Sequence, residues 1–205
     1  MGDVQVRLAV LALVAVMLAG CGGDDDGATA ATGRTSAGRP LERRGPVPAG
    51  WKVSATRFFN YAHPADWTVQ VRPSKSGAPG EIVSEARGPA TTPGLPPDVV
   101  VAATPKYQTG LKGLLDLNAT DAKLRFRDRK VLKEERPDVA GAVGGRLVEG
   151  EVQNKAPDGS KTPVRQFDLV VLSKGGTAVS LFVQVPAAEA ESSRVRDVVA
   201  TLEVR

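Results

Sequence analysis

Three kinds of side chain in this sequence could do chemistry: one thiol, one imidazole and several neighbouring carboxylates. The thiol is Cys21 and the imidazole is His63, and neither type recurs in the 205 residues. Acyl transfer needs a nucleophile beside a base that a third group orients. His63 falls in a Pro-containing turn before Pro64, and Ser54, Ser74, Ser76, Ser84 and Ser180 lack the Gly-x-Ser-x-Gly setting of a nucleophile elbow. A transition-metal centre built around one histidine would need clustered carboxylates, which the spacing does not supply, so no metal and no cofactor are expected. Glu134-Glu135 and the alternating Glu149/Glu151 are the carboxylates that could form a hydrolytic dyad. A solvated strand face carries such pairs equally well. Gly141-Ala142-Val143-Gly144-Gly145 imitates a phosphate loop, but no Lys-Ser/Thr follows and the stretch leads into a strand, so a tight turn is expected. No catalytic residue is expected, and the chain does not read as an enzyme.

One basic strip invites a binding role instead. In Lys123-Leu124-Arg125-Phe126-Arg127-Asp128-Arg129-Lys130 an extended backbone would put Lys123, Arg125, Arg127 and Arg129 on one side, with Leu124 and Phe126 opposite. Four such cations would attract anionic lipid headgroups or wall phosphates, each contributing about 1 kcal/mol near a charged surface. The alternative is an edge strand or helix exit whose outer face is charged to prevent edge pairing. The one aromatic among these cations, Phe126, would face away from them, and an exported domain does not meet nucleic acid, which argues against nucleic acid as a partner.

The thiol has a different setting. Leu8 to Ala19 is a run of twelve apolar residues after Arg7, too short to span a bilayer, which takes about 20 residues, but suited to the apolar region of an export signal. Its last two residues open Leu18-Ala19-Gly20-Cys21, which resembles the lipobox of bacterial lipoproteins. The resemblance implies a diacylglyceryl group on the Cys21 thiol and cleavage before it, leaving residues 1–20 as a signal peptide. Each buried CH₂ contributes about 0.8 kcal/mol, so two long acyl chains hold a protein stably where one is marginal. The protein is therefore expected on the outer face of the cell membrane, tied to it through Cys21.

Residues 21–50 are small, polar and punctuated by proline, with no periodic apolar pattern and no aromatic residue. They cannot bury enough area to offset ordering entropy, and read as a flexible linker reaching about 30 Å. All nine aromatics lie from Trp51 to Phe182. Residues 51–205 are thus the folded domain, long enough for one core without disulfides and expected to be monomeric. The charges of the first fifty residues cancel, so the net +4 of the chain sits in this domain.

Inside the domain, Trp67, Val69 and Val71 alternate with polar residues as a half-buried strand, and Arg57 to Tyr61 is its expected hairpin partner through Pro64. Glu81–Arg87 and Asp98–Ala103 read as strands, with an irregular loop between them from Gly88 to Pro97. Leu111, Leu114, Leu115 and Asn118 fall at helical spacing over 109–122. Strands are expected at 130–136, 144–153, 164–172 and 177–185, with Ala156-Pro157-Asp158-Gly159-Ser160 as a turn between the second and third. Val179, Leu181, Val183 and Val185 share one face. Pro186 opens a helix in which Val195, Val198, Val199 and Leu202 face the sheet. Consecutive hairpin strands argue for an antiparallel sheet covered by two helices, an α+β fold.

Phe59, Tyr61, Pro64 and Trp67, followed by the long meander, the C-terminal helix and Leu202-Glu203-Val204, resemble the PsbP-like domains. With the lipobox and linker, the chain is similar to the LpqN/LpqT-type lipoproteins of high-GC Gram-positive bacteria. His63 departs from that pattern, which usually has a tyrosine or another bulky residue before the proline. The resemblance implies an α/β/α sandwich around a central antiparallel sheet, in a family that binds or scaffolds at the cell envelope. A non-catalytic module for an envelope protein or lipid is the expected function. A carboxylate-dependent hydrolase and a small lipid carrier, with a dry pocket lined by Leu111, Leu114 and Val179, are the alternatives.

Overall fold

The computed structural model describes residues 47–74, 80–90, 92, 95–155, 159–192 and 194–205. In chain order the elements are β1 (Trp51–Ala55), β2 (Phe59–Pro64), β3 (Thr68–Pro73), β4 (Ile82–Arg87), β5 (Asp98–Thr104) and α1 (Gly110–Arg125). They continue with β6 (Lys130–Glu135), β7 (Ala142–Lys155), β8 (Lys161–Ser173), β9 (Ala178–Pro186), a 3₁₀ turn (Ala187–Glu189), α2 (Val195–Ala200) and β10 (Glu203–Val204). The late meander β7-β8-β9 is the frame of a seven-stranded antiparallel sheet ordered β3-β4-β5-β9-β8-β7-β6. A second sheet, ordered β1-β2-β10, lies against it.

The pleat sends alternate residues to opposite faces, and the two faces are covered differently. Val179, Leu181, Val183 and Val185 of β9 face one core with Phe59, Tyr61 and Val204 of the small sheet and Val195, Val198 and Val199 of α2. Fully burying each such side chain contributes about 1.5–3 kcal/mol. Tyr61 donates or accepts a hydrogen bond of 2.9 Å with Ser84 Oγ of β4, joining the two sheets across that core. On the other face α1 packs Leu114, with Leu111 and Leu115 at its rim, onto Val170, Leu172 and Ala178. Gly144 makes room there, since a Cβ would stand 2.8 Å from Leu111 Cδ2. The architecture is α+β: a central antiparallel sheet with α1 on one side and α2 plus the small sheet on the other.

Two local expectations are corrected. Arg57 to Tyr61 does not form a hairpin with the strand after Trp67. β2 pairs with β1 and β10, whereas β3 pairs with β4. Phe59 and Tyr61 are buried to within 1% and find that environment only between the layers, so the turn closed by Trp67 N–H to the Pro64 carbonyl (3.1 Å) passes the chain from one sheet to the other. The helix expected from Pro186 is also interrupted. Pro186 caps only the three-residue 3₁₀ turn, and α2 starts anew after Arg194, whose φ of 60° lies in the left-handed region and cannot continue a helix.

Candidate functional site

Cys21 and the residues Leu18, Ala19 and Gly20 before it lie outside the described residues, as does the linker up to residue 46. The basic segment is described, and it is not an extended strip. Lys123 and Arg125 occupy the last turn of α1, where their charges suit the negative end of the helix dipole. Phe126 ends it with φ −122° and ψ 62°, its N–H still donating to the Ala122 carbonyl at 2.9 Å. The Arg129 N–H then donates to the Phe126 carbonyl at 3.0 Å, a tight turn that delivers the chain to the edge strand β6.

That turn sorts its side chains inward and outward. Phe126 goes in and stacks on Phe182 of β9, with centroids 5.6 Å apart and rings 6° from parallel. Arg129 goes in beside it, its guanidinium 5.7 Å from the Phe126 ring and its side chain only 5% exposed. Its Nη2 donates to the Val148 carbonyl at 2.9 Å, and Nη1 lies 3.5 Å from Asp168 Oδ2. Asp168 sits in β8 between Val148 and Phe182, on the face that α1 covers. Asn118 of α1 donates to its other oxygen at 3.4 Å and accepts from Arg146 Nη2 at 2.8 Å. Burial pushes the Asp168 carboxyl up and the Arg129 guanidinium down, each opposed by the charge of the other. Gly150 leaves the space for this: a Cβ there would stand 2.4 Å from Arg129 Nε.

Arg125 is spoken for as well, donating from Nε to Asp121 Oδ1 at 2.8 Å one turn back. Lys123 and Arg127 remain outward and exposed, joined by Lys130 at the start of β6. Among the described residues these three cations have no ion-pair partner. Beside them Leu124 is 66% exposed and Val131 57%. The four cations expected on one strip are thus divided, and Lys130, Leu124 and Val131 join the outward set.

Three of the four carboxylates considered for a dyad, Glu135, Glu149 and Glu151, lie on the opposite face of the sheet, under α2. Glu149 and Glu151 do share a face, and Arg165 lies between them at 2.5 and 3.8 Å. Arg196 of α2 donates to Glu149 at 2.7 Å and to Glu135 at 3.1 Å, and Lys133 pairs with Glu135 as well. Glu134 points to solvent while its neighbour Glu135 is buried. These oxygens accept from guanidinium groups that hold α2 against β6, β7 and β8, an arrangement that spends them on packing.

His63 is buried on β2, not in the following turn, with Nδ1 2.8 Å from the Pro64 carbonyl and its ring tilted against Tyr61. Gly141 lies in a tight turn, its φ of 82° in the left-handed region, as the sequence suggests, and a Cβ there would stand 1.8 Å from the Val204 carbonyl. Between α1 and the sheet runs a cleft lined by Leu114, Leu117, Asn118, Val170, Val179 and Ser180. The space open to the centre of a water-sized sphere is about 30 Å³, room for two or three waters and not for an acyl chain. Leu111 packs against Gly144 and is not in its lining, so the pocket that a lipid carrier requires is not formed by these residues.

The Asp168–Arg129 pair was not foreseen, yet it left two marks in the sequence. Asp168 interrupts the apolar run Phe167 to Leu172, and Gly150 interrupts the middle of a strand, where a glycine points to close approach by another group.

No family model matches the sequence, and no curated protein matches it. Among solved structures the chain is similar to LpqN of Mycobacterium tuberculosis, described as involved in cell envelope biogenesis. The two share 15% identity over 71% of this chain and 82% of that one, with a TM-score of 0.49.

Proposed function

We propose that this protein is a lipid-anchored, non-catalytic binding module at the outer face of the cell membrane, whose 51–205 domain engages an envelope protein or lipid. One observation carries the reading: Leu18-Ala19-Gly20-Cys21 overlaps the end of a twelve-residue apolar run and stands some thirty residues before the first strand at Trp51. Two acyl chains on Cys21 would supply the membrane attachment. No helix among the described residues is long and apolar enough to cross a membrane. The interior of the domain supports the non-catalytic half. Asp168, Glu149 and Glu135 are each engaged by arginine, and the imidazole of His63 is packed beneath the small sheet.

The anchor is tested by expressing wild type and Cys21→Ser and following the protein between membrane and soluble fractions. Wild type should carry the mass of a diacylglyceryl group and partition into the detergent phase, and Cys21→Ser should carry none. Wild-type protein that lacks the lipid and stays out of the detergent phase overturns the anchor. The binding half is tested by purifying the full chain from native membranes and identifying what accompanies it. Neither a reproducible protein nor a lipid at micromolar concentration would overturn it.

A further inference from the structure

The outward side of the α1–β6 turn brings exposed cations and exposed apolar side chains together. Lys123, Arg127 and Lys130 are exposed and have no ion-pair partner among the described residues; Asp128 is the one exposed anion between them in the chain, and Glu151 stands across from Lys130 on β7. Interspersed are Leu124, the most exposed large apolar side chain of the described domain at 66%, and Val131 at 57%, with Leu132 beside it at 41%. Exposed leucine and valine on a short turn lose nothing by entering an apolar medium, and cations around them gain by meeting negative charge. The turn is also held in one shape. Phe126 stacks on Phe182, Arg129 is buried against Asp168, and the 3.0 Å bond from the Arg129 N–H to the Phe126 carbonyl closes the loop between them. The two inward residues fix the backbone of the turn, so the ordering entropy lost on contact is mainly that of the outward side chains.

We propose that this corner, Lys123, Leu124, Arg127 and Val131, with Lys130 at its rim on the first residue of β6, docks on an anionic lipid surface. The cations meet the headgroups, and Leu124 and Val131 enter the boundary below them. The proposal rests on the reading of Cys21 as a membrane anchor, because the linker expected from the sequence keeps the domain within about 30 Å of the bilayer and so makes a weak contact effective. An acidic protein surface would satisfy the cations but not the isolated apolar tips, which favours lipid.

The test uses the full chain carrying Cys21→Ser, so that no acyl chain contributes. It is mixed with vesicles of neutral phosphatidylcholine and with vesicles in which about one lipid in three is phosphatidylglycerol, and the bound fraction is read by sedimentation. The expected result is at least about tenfold tighter partitioning onto the anionic vesicles, from roughly 1 kcal/mol per near-surface cation less the opposing Asp128. The triple variant K123E/R127E/K130E should abolish that increment, and Leu124→Asp should reduce it. A charge-matched reversal of the exposed Lys52, Lys161 and Lys174 should leave most of it. Equal partitioning onto both vesicles, or equal losses from the two triple variants, overturns the proposal. Failure of the anchor reading shows elsewhere, as wild-type protein that stays out of the detergent phase, so the two failures are distinguishable.

Discussion

Asp168 and Glu149 sit on neighbouring strands of one sheet, face opposite sides, and are almost equally buried, with side chains 11% and 10% exposed. Their cations differ. Arg165 and Arg196, which hold Glu149 at 2.5 and 2.7 Å, are 22% and 32% exposed and keep contact with water. Arg129, at 3.5 Å from Asp168, is 5% exposed. On the α2 side the charges are hydrated at one end and the contacts are short. On the α1 side both partners are dry, the contact is long, and burial raises the carboxyl. The first cluster is a latch at the rim. The second is a pin through the layer, and a buried pair of that kind contributes little net stability but is costly to break from one side. What it supplies is the inward position of Arg129, which together with Phe126 fixes the turn that carries Arg127.

The sharpest way to break this comparison is Arg129→Ala. It leaves Asp168 charged and without its cation in a dry setting, and should destabilise the fold by about 3–5 kcal/mol in denaturant unfolding. The apolar double variant R129M/D168L should recover most of that loss. A loss below about 1 kcal/mol for Arg129→Ala would mean that the α1 side is as hydrated as the α2 side.

Gly150→Ala probes the same pin without touching a charge. Its Cβ would meet Nε, Cγ and Cδ of Arg129 at 2.4, 2.9 and 3.1 Å, so the guanidinium must leave its place. About 1–3 kcal/mol of destabilisation is expected. In an Arg129→Ala background the same substitution should cost nothing, since the obstructing side chain is gone. A double-mutant cycle reads that coupling directly, and additive effects would contradict the geometry.

These residues also show where the sequence could be read and where it could not. The alternation of Val179, Leu181, Val183 and Val185 and the spacing of Val195, Val198 and Val199 report burial along one element, and local periodicity suffices for that. The partner of β2 is a property of two layers. Phe59 and Tyr61 could satisfy a hairpin pattern with Val69, and only the need for a common core places them against β1 and β10 instead. Four alternating cations read as a strip because an extended backbone was assumed from Lys123 on. α1 runs three residues past the expected end at Ala122, so Lys123 and Arg125 become helical, and Phe182, 56 positions on, draws Phe126 and the turn inward. The fold class follows from segment order. The division of charge between inside and outside does not. Cys21 is the reverse case, since its meaning lies wholly in the residues before it.

Arg196→Ala strikes the latch. It removes one of two guanidiniums from Glu149 and one of two cations from Glu135, while Arg165 and Lys133 remain. Because Arg196 is about a third exposed, the Coulomb contribution is screened, and about 1 kcal/mol of destabilisation is expected, shrinking in high salt. Effects above those of Arg129→Ala would reverse the assignment of latch and pin.

Asp98 provides an intermediate case and the smallest effect. It lies on the same face as Asp168, 8% exposed, but its cation Arg87 is 61% exposed and 3.8 Å away. Burial raises its carboxyl, and Arg87 opposes that only in part. A carboxyl whose folded pKa lies above its unfolded value of about 3.9 favours the folded state while protonated, and that contribution is lost as the pH rises through the folded value. Asp98→Asn mimics the protonated form at every pH. It should therefore match wild type near pH 3 and exceed it at pH 7, by under about 1 kcal/mol. Thermal or urea unfolding at the two pH values measures the difference. Asp168→Asn should not behave this way, because removing that charge leaves Arg129 dry and unpaired, so a neutral-pH gain at Asp98 together with a loss at Asp168 is the pattern expected if hydration of the cation separates the two.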